Sequence, residues 1–173
     1  MVRFKNRYVC FELLFEPPAD PACAARTSRP GQSQAPPVLS AKSISQLVRD
    51  CVKLSFGDSG AGHVLMGTQV KYFNARTCMG IIKVPRDHCR MVLAAMVLAT
   101  HVNKRPCTVC VRHVSGTIKK CQKAAIRVDR ELIIAWHQQQ RVRAASGEAP
   151  PVSNSALSQL LQESASQISA LEL

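Results

Sequence analysis

The sequence predicts an α+β sandwich, built on a four-stranded antiparallel sheet with additional helices at its C-terminal end. Four short segments alternate apolar and polar residues, two segments between them have the helical apolar period, and glycine or proline marks most junctions. A chain of 173 residues is long enough to bury one core. We therefore expect one domain at residues 1–143, interrupted by an insertion at 16–39 and followed by a tail at 144–173.

The first predicted strand covers residues 2–15 and has two unlike halves. Alternation places Arg3, Lys5 and Arg7 on one face, which the apolar odd positions continue: Val9, Phe11, Leu13 and Phe15. Cations do not share a core with phenylalanine, so we expect the first half to project beyond the sheet and the second half to be buried.

The insertion that follows is rich in Pro, Ala, Ser and Gln, and residues 16–37 hold six of the ten prolines. This composition is typical of an extended or disordered segment outside the fold. A helix is then predicted from Ser43 to Phe56, with Gly57 as its stop and one apolar face. Residues 58–67 are rich in glycine, which predicts a loop.

A hairpin is predicted next, with strands at residues 70–74 and 79–84. Asp87 is expected to cap a second helix that ends near Thr100 and is largely buried, because it is apolar nearly all round. A fourth strand is predicted at residues 107–114.

One or two helices are predicted from Thr117 to about Gln139. The resulting order, β-α-β-β-α-β followed by helices, is that of ferredoxin-like and RNA-recognition folds. In the Ser/Ala/Gln-rich tail, apolar residues at 157, 161, 168 and 171 leave two alternatives open. One is a weak amphipathic helix that docks on a partner, and the other is disorder.

The charge distribution favours a polyanionic partner. The net charge is +12 and the sequence pI is about 9.8. Residues 144–173 contain three Glu and no Lys or Arg, so residues 1–143 carry +15. RNA or DNA is the first candidate and an acidic membrane surface the second. A membrane role has little support, because the longest apolar run, residues 91–99, is far shorter than the ~18–20 residues of a span.

The compartment is expected to be the cytosol or nucleus. Residues 1–8 lack the apolar region of a secretory signal. The eight cysteines are scattered through apolar patterns, which is typical of buried thiols in a reducing environment.

Residues 113–123 hold the most informative segment, a strand end, a glycine turn and a helix start. The amides of a helix N-terminus attract anions, so those near Gly116 and Thr117 are expected to hold a phosphate. Helical periodicity separates an apolar side from a cationic side. The apolar side contains Ile118, Cys121, Gln122, Ala125 and Ile126, and the cationic side contains Lys119, Lys120, Lys123, Arg127 and Arg130. The alternative is the ordinary solvated surface of a basic protein.

No catalytic constellation is found. Cys107 and Cys110 have CxxC spacing, but in a strand they point to opposite faces about 10 Å apart and cannot share a metal. His113 with Ser115 and Cys121 has nothing to orient it as a nucleophile and base. The open alternative is a basic thiol-redox or metal-using enzyme that uses Cys107, Cys110 and His113.

The predicted third strand, residues 79–84, has no aromatic side chain. RNA-recognition domains stack bases on aromatics of their first and third strands. We therefore expect RNA contact through phosphates and shape, from cations and helix termini and not from the sheet face.

Four segments together resemble a known family. They are Val2–Tyr8, Leu47–Asp50, Val70–Asn74, and His113–Ile118 with Cys121–Lys123. The chain is similar here to the Pop-five subunit family of ribonuclease P and RNase MRP. It departs from that family in a longer Pro-rich insertion, in Ser115 where the usual turn has a first glycine, and in a tail that is less acidic than in some relatives.

The resemblance implies a non-catalytic subunit that binds and stabilises the catalytic RNA in tRNA 5′ maturation and rRNA processing. It implies an RNA that does the chemistry with Mg²⁺, no cofactor on the protein, a TIM-barrel-like companion subunit and further subunits, and a nuclear and nucleolar location. The remaining alternative is an RNA-binding scaffold of another particle. The predicted RNA contacts are Arg3, Lys5, Arg7, Gly116, Thr117, Lys119, Lys120, Lys123 and Arg127.

Overall fold

The computed structural model of the chain describes residues 5–15, 39–103, 105–145 and 154–171. The strands are β1 Asn6–Phe15, β2 Gln69–Asn74, β3 Met79–Pro85, β4 His101–Val102 and β5 Arg105–Ser115. The helices are α1 Ala41–Leu65, α2 Cys89–Val97, α3 Ile118–Ala145 and α4 Asn154–Ser169. No helix in these ranges is long and apolar enough to cross a membrane.

The strands form one antiparallel sheet in the order β2-β3-β1-β5-β4. The predicted α+β class, the hairpin and the ferredoxin-like strand order are confirmed. The sheet has five strands and not four, because His101 and Val102 pair with Pro106 and Arg105 at one edge. A strand of two residues is too short to show a period in the sequence.

The central strand β1 is buried on both faces. Val9, Phe11 and Leu13 contribute to a core shared with α1 and α2, whereas Tyr8 and Cys10 contribute to a second core with α3 and α4. The sheet therefore lies between two helical layers. Burial on both faces gives the long apolar run of a central strand and not a clean alternation.

The prediction that the first half of β1 projects beyond the sheet is partly wrong. Arg7 pairs with Val84 within the sheet and is half-buried, while Lys5 lies just before the strand and is exposed. The guanidinium reaches the end of the sheet on its long aliphatic stem, so the residue is accommodated without a projecting strand. Arg3 lies outside the described residues, as does the predicted insertion apart from Leu39, whose side chain is buried in the core.

The loop predicted at residues 58–67 is wrong for most of its length. Gly57 has a φ of 67° and interrupts the helix, but helical structure resumes and continues to Leu65. Ala61 and Val64 are buried, so docking of this second segment on the core outweighs its glycine content. A Cβ on Gly60 would lie 2.5 Å from Cβ of Phe56, so this position has no room for a side chain and glycine fits there.

The second helix differs from its prediction in two respects. His88 is its N-cap residue, Asp87 lies before it in the turn, and no side chain caps the helix. Only one face is buried, because α1 and the sheet cover one side; Val97 is 58% and Leu98 66% exposed.

The third helix confirms the two faces predicted for it. Ile118, Cys121 and Ala125 are buried against the sheet. The Nε2 atom of Gln122 donates hydrogen bonds to the carbonyl oxygens of Ile168, at 2.9 Å, and Leu171, at 2.8 Å. The tail thus contributes a helix, α4, that packs on α3 of the same chain.

Candidate nucleic-acid interface

One end of the sheet gathers the start of β1 with the ends of β3 and β5. The register pairs Asn6 with Pro85 and Tyr8 with Ser115. Because α2 follows β3 and α3 follows β5, both helices begin at this end. Their N-terminal amides and the positive ends of their dipoles therefore lie at the same end of the sheet.

Cationic side chains belong to the same end. The main-chain N–H of Arg86 donates to the carbonyl oxygen of Lys5 at 2.9 Å, which joins the turn after β3 to the start of β1. Lys83 pairs with Tyr8 in the register. We call this set the basic end of the sheet; its members are Lys5, Arg7, Lys83, Arg86, Lys119 and Lys120.

Arg7 links the two parts of the sequence in which RNA contacts were predicted. Its Nη1 atom lies 3.1 Å from the position that a Cβ on Gly116 would occupy. A side chain at residue 116 would press on the guanidinium, so glycine leaves room for it. The start of β1 and the turn before α3 are thus one surface in the folded chain.

The turn itself is ordered by Ser115. The main-chain N–H of Thr117 donates to Oγ of Ser115 at 3.3 Å, so this amide already has an acceptor within the chain. The first main-chain bond of the turn runs from the N–H of Cys121 to the carbonyl oxygen of Thr117. The N–H groups of the first turn of α3, at residues 118–120, have no intrahelical acceptor and can meet an anion.

The charges at the start of α3 oppose its dipole. The first turn holds Lys119 and Lys120 and no acidic residue. Cations at a helix N-terminus are unfavourable by themselves, and a bound anion reverses the sign of that interaction. This arrangement therefore favours an anionic ligand.

Further cations continue along α3. Lys119, Lys120, Lys123, Arg127 and Arg130 are all exposed, as the helical period predicts. The ion pairs in the described part of the chain are Lys53–Asp58 and Arg112–Glu12, so no carboxylate there forms an ion pair with this row.

The sheet face is closed to bases by the chain itself. Tyr8, Cys10, Met79 and Ile81 are buried beneath α3 and α4. This agrees with the inference from the missing aromatics on β3 and adds a steric reason. The basic end and the exposed side of α3 remain open to a polyanion.

Within the described residues, the cysteines and His113 do not assemble a reactive site. Cys107 lies opposite Phe15 and Cys110 opposite Glu12, three positions apart on β5. Burial raises the pKa of the Cys107 thiol, and burial raises that of Cys121 to about 12. Within the ranges that the structure describes, no group of three or more His, Cys, Asp or Glu is placed to hold a metal ion.

The sequence analysis missed Lys83 and Arg86. Each belongs to a short, ordinary segment, and only the pairing of β3 with β1 brings them beside Lys5 and Arg7. The signal that could have found them is antiparallel order, because the end of β3 must lie beside the start of β1 in the predicted topology.

Comparison with known proteins gives a consistent result. The family model described as the Rpp14/Pop5 family matches residues 7–126. "Ribonuclease P/MRP protein subunit POP5" of Schizosaccharomyces pombe is 40% identical over 126 residues, which cover 73% of this chain and 86% of that protein. The proteins of the same name from Saccharomyces cerevisiae and Homo sapiens are 34% and 32% identical, over 77% and 78% of this chain and 80% and 76% of their own lengths.

A solved structure is also similar. A chain in the cryo-EM structure of yeast Ribonuclease MRP superposes with a TM-score of 0.43 at 12% sequence identity, covering 68% of this chain and 79% of that chain.

Proposed function

The chain belongs to the Rpp14/Pop5 family, and from that premise we propose that it is a protein subunit of the ribonuclease P/MRP ribonucleoprotein. Relatives that bear the name of this subunit are 30–40% identical to it over about three quarters of its length. As such a subunit it functions in tRNA 5′ maturation and rRNA processing, in the nucleus and nucleolus.

In this role the protein is not the catalyst. It binds the catalytic RNA, screens the charge of the RNA backbone and steadies the active fold, while the RNA holds the Mg²⁺ ions. The observation that carries this proposal is the basic end of the sheet, where two helix N-termini and six cations lie together. The RNA contacts are Lys5, Arg7, Gly116, Lys119, Lys120, Lys123 and Arg127, with the Thr117 turn and, by sequence, Arg3. Lys83 and Arg86 are added to this set.

The companion subunit needs an uncharged surface. The sequence favours the uncharged faces of the sheet and of the second helix for a protein partner. The sheet faces are covered by the chain's own helices, which leaves the second helix. Exposed apolar side chains remain on the outer side of the α1–α2 layer, at Leu54, Val97 and Leu98. We propose this patch as the contact with the TIM-barrel-like companion.

The enzyme alternative is not favoured. It needs an accessible thiolate or a metal, whereas Cys107 is buried with a raised pKa and Cys110 lies three positions along the same strand. A general RNA-binding scaffold would share the charge arrangement, and the identity of the bound RNA distinguishes it.

The decisive experiment is to purify the tagged full chain from its own cells and to sequence the RNA that comes with it. Enrichment of the ribonuclease P and MRP RNAs is the expected result. Recovery of ribosomal or messenger RNA would reduce the proposal to a scaffold of another particle, and recovery of no RNA would overturn it. Leu54→Glu with Leu98→Glu is expected to lose the companion protein from the same preparation while keeping the RNA.

A further inference from the structure

A groove opens beside the basic end, between the last turn of α1, the start of β2 and the turn before α2. Its volume is about 1040 Å³, and Lys5, Lys83 and Arg86 line it. Pockets that hold small ligands have volumes of roughly 300–1,000 Å³, so the groove has room for a nucleotide. Its position continues the cationic surface described above.

Two imidazole rings stack in the wall of this groove. His63, in the last turn of α1, and His88, the N-cap residue of α2, have ring centroids 5.4 Å apart and planes inclined by 26°. His88 is half-buried and makes no capping hydrogen bond, and His63 is exposed. One face of the His63 ring is therefore covered by His88, while the residue as a whole remains exposed.

The polar groups of the groove favour an anionic, hydrogen-bonding ligand. The charged side chains in its lining are Lys5, Lys83, Arg86 and Asp87. Asp87 is the one acidic residue in the lining, so the surrounding cations outnumber it and disfavour a metal ion.

We propose that this groove holds one unpaired nucleotide of the bound RNA, with its base stacked on the His63 ring. Lys83 and Arg86 bind the phosphate. Histidine is among the side chains on which unstacked RNA bases are held, and a base inside a duplex is not free to enter a groove. This inference rests on the proposed RNA-binding function and goes beyond it, because it assigns recognition of a single-stranded segment.

The test is fluorescence anisotropy on the full chain with a labelled 12-nucleotide single-stranded RNA, and with the same strand annealed to its complement. His63→Ala is expected to raise the Kd for the single strand about tenfold, the loss of one base–aromatic stack, and to leave the duplex Kd unchanged. His63→Phe restores a planar stacking face and is expected to bind like the unaltered chain. His113→Ala removes an exposed histidine of β5 and serves as the matched control.

Salt dependence adds a second readout. Stacking releases no counterions, so His63→Ala is expected to shift log Kd equally at every salt concentration. Lys83→Ala should lower the log–log slope by about 0.7, the value for one phosphate contact on a single strand.

Three results would overturn the proposal. If His63→Ala weakens the binding of single strand and duplex equally, His63 contributes to RNA binding in general and does not stack on an unpaired base. If His63→Ala weakens neither, His63 has no part in RNA binding. Zinc retained by the purified full chain and lost in His63→Ala would make the groove a metal site. As long as the unaltered chain binds the duplex, these three results contradict only the groove proposal. An unaltered chain that binds neither RNA contradicts the proposed RNA-binding function itself.

Discussion

The guanidinium of Arg7 lies against Gly116, with Nη1 only 3.1 Å from the place of a Cβ on that glycine. Arg7 lies near the start of the central strand, and Gly116 follows the last residue of β5. The pairing of Tyr8 with Ser115 holds these two segments side by side. The cation of one segment and the turn of the other therefore lie side by side on one surface of the folded chain.

Substitution of Gly116 by alanine tests this contact. The new methyl group meets only the mobile tip of Arg7, so we expect the free energy of unfolding to change by about 0.5 kcal/mol or less. RNA affinity should fall about two- to tenfold, because one charge-assisted contact is displaced. Urea unfolding and RNA titration of the same variant measure both effects. Gly62→Ala is the control, since its Cβ has nothing within 4 Å; equal RNA affinities for the two variants would contradict the assignment.

Removal of Lys120 and Lys123 tests the cationic side of α3. Each lost phosphate contact lowers the slope of log K against log salt by about 0.7–0.9, so the double alanine variant should lower it by roughly 1.4–1.8. The matched control is Lys42→Ala with Lys53→Ala on α1. Lys42 lies beside Ser43, which contacts Asn103 away from the basic end. An unchanged slope in the α3 variant would exclude these lysines from the interface.

The ion pair between Arg112 and Glu12 predicts a stability effect. Nε and Nη2 of Arg112 donate to Oε2 of Glu12 at 2.8 and 2.5 Å, and the carboxylate is buried in the sheet. Arg112→Ala leaves that charge unpaired and should lower the free energy of unfolding by about 2 kcal/mol. This is less than the roughly 3–5 kcal/mol for breaking a fully buried pair, because Arg112 is 41% exposed. Urea unfolding measures the loss. Glu12→Gln combined with Arg112→Ala should recover part of it, and the absence of recovery would contradict the electrostatic explanation.

Two buried thiols predict how stability depends on pH. Burial raises the pKa of Cys10 and of Cys121 from 9.0 to about 12. The folded chain thus favours the neutral thiols, so their contribution is complete below pH 9 and is lost as the pH rises toward 12. Urea unfolding from pH 8 to 11 should show a steeper decline for the native chain than for Cys10→Ala with Cys121→Ala. Parallel curves would contradict the assignment.

Local sequence patterns were sufficient to predict the elements that are buried on one side or in a regular pattern. The 3.6-residue period separated Ile118, Cys121 and Ala125 from the lysines of α3, and the hairpin at β2 and β3 followed from two short β-branched runs. Gly57 was correctly identified as a break, but the sequence does not show that Ala61 and Val64 dock on the core and restore the helix. Tertiary packing decides such positions over propensity.

The candidate site was predictable only in part. The charge of Lys119, Lys120 and Lys123 is visible in the sequence. Their proximity to Arg7 depends on the pairing of β1 with β5, which are far apart in the sequence. Lys83, Arg86 and the stacked His63–His88 pair come from three different elements. No local pattern relates them, because the groove exists only once β3 lies beside β1.

The position of β1 at the centre of the sheet has a consequence for synthesis of the chain. Its two neighbours, β3 and β5, are made much later, and the partner of Glu12 is 100 residues further along. Contacts of such separation slow folding, because loop closure comes before any gain from pairing. After synthesis β1 must therefore wait, apolar on both sides, until residues 105–115 have emerged. A chaperone that shields β1 during that interval would act before any RNA is bound.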